Sequence, residues 1–235
     1  LGARIYYVVF SWDYYKSHLN ELLNIRQGGI AIYGAVIGGF LTLLVFCKIR
    51  KQNFFLISDI AVLGLLVGQI MGRWGNFTNR EVFGHYTDSL FAMRLPIEAV
   101  RSADITSDIA AHITDGINYI QVHPTFLYES VLNLLLLIVL LLYTKHKKFN
   151  GEIALGYLGG YGIIRFFVEG IRTDQLKIGS TGIAVSQLLG MVLFIVAILT
   201  DVIVRIYRRK KGLQELPQKA AVVQNKVEND EKQDE

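Results

Sequence analysis

The sequence predicts an all-α fold, a polytopic transmembrane helix bundle with a small extracytoplasmic head. Three observations carry that reading. Of 235 residues 52% are hydrophobic, only 19% are charged, and the apolar residues fall into long runs separated by basic clusters. A mean hydropathy of +0.37 asks for a non-aqueous solvent. Three prolines and the single Cys47 exclude a collagen-like chain, a disulfide scaffold and a multi-cysteine zinc module.

Taken in order, the first element is LGARIYYVVFSW, from Leu1 to Trp12. It reads as the second half of a hydrophobic span whose beginning is missing, because a bilayer crossing needs about 20 residues. No basic segment followed by a short apolar core and a small-residue cleavage site marks a signal peptide. Five further spans follow: Ile30 to Cys47, Phe54 to Gly72, Phe126 to Thr144, Ile153 to about Val168, and Ile178 to Val204. The Ile153 segment is short and holds Gly156, Gly159, Gly160 and Gly162, which suit close packing inside a bundle rather than contact with lipid.

Orientation comes from the basic connections: Lys48, Arg50 and Lys51, then Lys145, Lys147 and Lys148, then Arg205, Arg208, Arg209, Lys210 and Lys211. They alternate with consecutive spans and mark one side as cytoplasmic. The stretch from Arg73 to Thr125 then forms the outer head. Residues 1–211 are read as the transmembrane domain and 212–235 as a cytoplasmic, disordered tail, which carries six acidic and three basic side chains and lacks helical periodicity. The net charge of +4 and pI near 9.1 are therefore juxtamembrane charge, with no nucleic-acid partner implied.

Polar residues gather at the outer ends of the spans: Arg4, Tyr33, Arg73, Asn76, Asn79, Arg80, Glu81, His123, Tyr128, Glu129, Tyr161, Arg165, Glu169 and Arg172. Spacings of 4, 4 and 3 place Tyr161, Arg165, Glu169 and Arg172 on one helical face, which cannot look at lipid. GRWGNFTNREVFG, Gly72 to Gly84, combines backbone-permissive glycines, neutral amides and two guanidinium forks. It fits either an anion cradle or a turn built on asparagine side chains. His123 precedes Pro124 at a helix start. Ser58 and Asp59 read as an N-cap, and Cys47 lies at the cytoplasmic end, away from the outer cluster. No metal-ligand spacing and no serine-hydrolase elbow is present, and no cofactor is expected.

GGIAIYGAVIGG from Gly28, GRWGNFTNREVFG from Gly72, HPTFLYE from His123 and YGIIRFFVEGIR from Tyr161, in that order and spacing, resemble the prolipoprotein diacylglyceryl transferase family from Leu1 to about Arg208. The resemblance implies a bacterial inner-membrane enzyme without cofactor or metal. It would move the diacylglyceryl group of phosphatidylglycerol onto the lipobox cysteine thiol in a prolipoprotein signal peptide, releasing glycerol phosphate. The active site would face the outer leaflet. Carried over residue by residue, it points to Arg73, Asn76, Glu81 and Gly84, and to Tyr161, Arg165 and Glu169. Many members carry His where Tyr33 stands.

On this reading Arg73 and Arg165 take the phosphate, Asn76 and Gly84 orient it, Glu81 and Glu169 hold the arginines, and Tyr33 or Tyr161 relays a proton near the thiol. His123 and Glu129 complete the substrate-binding set. A lipid or solute carrier, or a structural subunit of a membrane complex, uses the same residue types without thioether chemistry.

Overall fold

The computed structural model describes residues 1–26, 28–114, 116–177 and 182–213. The tail residues 214–235 and the expected span start at 178–181 lie outside the described residues. The chain divides into two compact units, Leu1–Ser58 and Asp59–Glu235.

In the first unit α1 (Gly2–Phe10) is followed by the short α2 (Trp12–Tyr15) and by α3 (Ile32–Ile49). α1 packs directly on α3, where a Cβ on Gly34 would lie 2.4 Å from the carbonyl oxygen of Gly2. Arg4 is buried, and its guanidinium donates to the carbonyls of Glu21 at 2.6 Å, Leu22 at 2.8 Å, Gly28 at 3.0 Å and Gly29 at 2.8 Å. Its donors thus close the connection into α3. Cys47 is a buried free thiol in this unit.

Helix α4 (Phe54–Asn79) begins in the first unit and continues through the second. Its start corrects the capping expectation. Asn53 Oδ1 accepts from the amides of Phe55 at 3.0 Å and Leu56 at 3.2 Å, so Asn53 is the cap. Asp59 sits one turn inside α4 and caps another helix. Its carboxylate accepts from the backbone amides of Gly151 and Ala154, both at 2.9 Å, and pairs with Lys147 Nζ at 3.2 Å. Two of the orphan amides at the start of α7 (Glu152–Ile171) therefore find an acceptor on a neighbouring helix rather than on their own chain segment.

α4 also continues past Gly72, where the span was expected to end. Nothing between Gly72 and Asn79 breaks a helix, and Trp74 and Phe77 pack their rings on Phe126 at 5.4 and 4.7 Å between centroids. The helix stops at a strained turn in which Arg80 and Val82 hold positive φ angles of 55° and 61°.

The head follows. It adds a two-stranded antiparallel sheet to the helical bundle, β1 (Met93–Pro96) with β2 (Tyr119–Val122), and a single turn of helix, α5 (Ser107–Ala110). Met93 pairs with Val122 and Pro96 with Tyr119, and Phe83, Leu95, Val100, Ile109, Ile120 and Val122 form its core. The chain returns through α6 (Thr125–Tyr143), α7 and α8 (Val185–Lys210).

Among the described residues four helices are long and apolar enough to cross a membrane, Ile32–Ile49, Phe54–Asn79, Thr125–His146 and Val185–Lys210. α7 falls outside that set because it carries Glu152, Arg165 and Glu169. It is packed between α6 and α8, as its glycines suggested: a Cβ on Gly162 would lie 2.5 Å from the carbonyl oxygen of Gly190, so only hydrogen lets the two backbones touch.

Replacing Asp59 with alanine removes the acceptor for two backbone amides and for Lys147. Breaking such a buried pair costs about 3–5 kcal/mol. Thermal unfolding of the purified protein in detergent is expected to show a markedly lower midpoint for Asp59→Ala and a smaller drop for Asp59→Asn, which keeps one carbonyl acceptor.

Candidate functional site

Three helices of the second unit bring charged side chains to one place. Glu129 opens α6, Arg73 lies near the end of α4 and Arg165 lies in the last third of α7. Glu129 is 1% exposed, and its carboxylate accepts from both arginines, Oε1 from Arg73 Nη2 at 2.9 Å and Oε2 from Arg165 Nη1 at 3.2 Å. Tyr161 Oη adds a donor to Oε1 at 3.4 Å. One carboxylate between two guanidinium groups leaves the triad with a net charge of +1. Each guanidinium has five N–H donors, and the fork geometry suits a second oxyanion beside the first.

The face of α7 extends the cluster. Arg165 Nη2 also pairs with Glu169, one turn on, and Arg172 Nη1 lies 3.6 Å from the same Glu169 oxygen. Ser186 Oγ on α8 donates to Glu169 Oε1 at 2.7 Å, which ties the start of α8 to this face. Arg172 itself forks onto Asp174, with contacts of 2.9 Å from Nε and 2.7 Å from Nη2. Burial pushes the Asp174 carboxyl up, but the Arg172 hydrogen bonds and charge outweigh it and hold the group below its ordinary value.

On the α4 side Arg73 Nη1 donates to Asn76 Oδ1 at 3.2 Å, and Asn76 Nδ2 donates to Glu81 Oε1 at 3.1 Å. The strained turn at Arg80 and Val82 folds Glu81 back over the helix end, where Asn79 Nδ2 reaches it at 3.3 Å. Glu81 thus meets Arg73 only through Asn76, and the carboxylate in direct contact with both arginines is Glu129.

Gly84 and His123 sit at the junction of head and bundle. Gly84 donates its amide to the His123 carbonyl at 3.0 Å and forms a bridge with Arg172; a Cβ there would lie 2.8 Å from His123 Cβ and 2.9 Å from the Ile171 carbonyl oxygen. The glycine lets the head backbone pass between α6 and α7. His123 Nδ1 lies 3.2 Å from Tyr128 Oη. Burial first, and the charge of His85 second, hold its imidazole below the ordinary histidine value, so it is neutral at pH 7.

The structure therefore gathers Arg73, Asn76, Glu81, Glu129, Tyr161, Arg165 and Glu169 into one hydrogen-bonded network, with Gly84 and His123 at its edge. Tyr33 belongs to the N-terminal unit, where its ring lies 6.2 Å from that of Tyr6. Ser186, Gln69 and Asn133 were not singled out in the sequence. Gln69 and Asn133 lie four residues from Arg73 and Glu129, and that helical spacing was the available signal.

A family model described as prolipoprotein diacylglyceryl transferase matches residues 1–203. A phosphatidylglycerol–prolipoprotein diacylglyceryl transferase of Lactobacillus acidophilus is 45% identical over 212 residues, which cover 89% of this chain and 70% of the relative. Proteins of the same name from Finegoldia magna and Listeria monocytogenes are 40% and 44% identical, over 86% and 90% of this chain and 72% and 70% of their own lengths.

Removing the bridging carboxylate leaves two guanidinium groups facing each other in an apolar body. Glu129→Ala is expected to lower the unfolding midpoint by an amount equivalent to about 3–5 kcal/mol, measured in detergent. Asp174 yields a pH dependence. A carboxyl whose folded pKa is depressed contributes stability that is complete above its ordinary value of 3.8 and is lost as the pH falls below it. The midpoint measured across that acid range is expected to fall less steeply for Asp174→Asn than for the native chain.

Proposed function

The chain belongs to the prolipoprotein diacylglyceryl transferase family, and from that premise we propose that it transfers the diacylglyceryl group of phosphatidylglycerol to the lipobox cysteine thiol of prolipoproteins. The observation that carries this reading is the pair of guanidinium groups, Arg73 and Arg165, held side by side by Glu129.

The chemistry explains why such a pair is needed. The cysteine thiol loses its proton, and the thiolate attacks the terminal glyceryl carbon. A C–S bond forms as the C–O bond to phosphate breaks. The leaving group departs as glycerol phosphate, whose phosphate gains one negative charge relative to the diester. Arginines aimed at those oxygens bind the transition state better than the ground state. Glu129 and Glu169 keep the forks in place, Asn76 and Glu81 fix the orientation of Arg73, and Gly84 permits close approach of the head. A thiol of ordinary pKa near 8.5 ionises more readily beside an arginine guanidinium. Tyr161, in contact with Glu129, and Tyr33 are the groups assigned to proton relay, and His123 to substrate binding.

The chain is a multi-pass membrane protein. We place it in the bacterial cell membrane, with residues 1–211 as the catalytic part, the cluster opening toward the outer leaflet and the basic connections and tail in the cytoplasm, on the strength of the charge asymmetry of the connections.

The test is thioether formation on a lipobox peptide by purified protein supplied with phosphatidylglycerol. Arg165→Ala is expected to lower turnover by roughly 100- to 1,000-fold, the effect of losing one donor at a developing oxyanion. Arg165→Lys keeps the charge but not the fork, and should recover only part of it. Unaltered turnover in a folded Arg165→Ala protein removes the phosphate role, and a carrier gives no thioether at all.

A further inference from the structure

One helical turn below the arginine cluster, further from the head, lies a second polar layer. Asn133 on α6 follows Glu129 by four residues, and Gln69 on α4 precedes Arg73 by four. The two helices run antiparallel, as the Arg73–Glu129 pair at 2.9 Å and the hydrogen bond from Ser130 Oγ to the Ile70 carbonyl at 3.2 Å establish. The same register brings Asn133 level with Gln69. Gln69 Nε2 donates to Tyr157 Oη on α7 at 2.9 Å, so the layer draws on the same three helices as the cluster above it.

This layer is incompletely hydrogen-bonded. Asn133 is 0% exposed, and among the described residues neither its Oδ1 nor its Nδ2 has a partner; Gln69 Oε1 also lacks one there. The next turn is apolar, built on Leu66, Leu136, Leu137, Leu140 and Ile153. An orphaned buried amide group costs about 1–3 kcal/mol, whereas a leucine of similar size at position 133 avoids the penalty. Within an apolar body no solvent relieves it. An amide kept at that cost, directly under an anion-binding cluster, is suited to a ligand that brings an acceptor to this depth.

We propose that Asn133, with Gln69, is a binding subsite for an acyl ester carbonyl of the donor lipid, an inference that rests on the transferase reading. In a glycerolipid about seven bonds link a non-bridging phosphate oxygen to the nearer ester carbonyl oxygen, a contour of roughly 10 Å at ~1.5 Å per bond that staggered torsions shorten. One helical turn is about 5.4 Å. A phosphate on Arg73 and Arg165 therefore leaves enough chain for a folded glycerol backbone to bring an ester carbonyl to the level of Asn133. Nδ2 has two N–H donors, one for the lipid carbonyl and one for Gln69 Oε1. The subsite makes the protein sensitive to the ester linkage itself, one turn away from the bond that breaks. Asn133 is 0% exposed whereas Arg73 and Arg165 keep 20% and 15% of their side chains exposed, so occupation of the lower layer entails separation of the facing side chains of α4, α6 and α7.

The experiment compares ester-linked phosphatidylglycerol with its dialkyl ether analogue, which lacks both carbonyl oxygens, as donors to a lipobox peptide with the purified full chain. The native protein is expected to favour the ester lipid about tenfold in kcat/KM, expressed mainly in KM. Asn133→Leu is expected to bring that preference close to one, with an unfolding midpoint equal to or above the native value. Equal use of the two lipids by the native protein overturns the subsite, and this arm needs no variant to fold. Retention of the preference in Asn133→Leu overturns it as well. Thioether formation with neither lipid overturns the transferase reading itself and the subsite with it.

Discussion

A single buried carboxylate organises this molecule. Glu129 lies at 1% exposure between Arg73 and Arg165, and each of those three groups comes from a different helix. Moving any one of the charges alone into an apolar body costs several kcal/mol, so none is stable there without the others. The same condition makes α4, α6 and α7 meet at one depth. It also leaves guanidinium N–H donors where an anion can use them. Stability of the bundle and the phosphate recognition proposed for it therefore draw on one arrangement.

The far end of the bundle supports it by similar means. Asp59 on α4 accepts the first amides of α7 at 2.9 Å, and Glu152 accepts from Tyr143 Oη at 2.9 Å and pairs with Arg205 of α8. These contacts set where α7 begins relative to α4 and α8. Arg165 lies eleven residues beyond Ala154, about 16 Å along a rigid helix at 1.5 Å per residue, so the height of its guanidinium follows from that anchor. The close passage of Gly162 and Gly190 holds the lateral position. Lys147 and Arg205, which the sequence offered as topological markers, thus also serve as internal ion-pair partners.

Much of this was legible in the sequence, and the exceptions have identifiable causes. Span positions followed from apolar run length, and the face made by Tyr161, Arg165, Glu169 and Arg172 followed from helical spacing. The span was ended seven residues early, at Gly72, because glycine and asparagine carry a local turn signal, whereas the helix runs on to Asn79 with Trp74 and Phe77 packed on the ring of Phe126. Asp59 looked like a cap for its own helix because its acceptor capacity is local information. The helix that it caps starts some ninety residues later. The short sheet in the head escaped notice because two four-residue strands leave little periodicity to read.

By itself the sequence determined that the chain is a membrane bundle, which segments are apolar enough to cross, and which charged residues have no place in lipid. Those properties depend on composition and on spacing within one element, and both survive in an unfolded chain. Only the tertiary structure decided that Glu129 bridges the arginines, that Glu81 reaches Arg73 through Asn76, and that Asn133 stands unpartnered beneath them. Each of those facts is a contact or its absence between helices distant in sequence, and it exists only when packing brings their faces together.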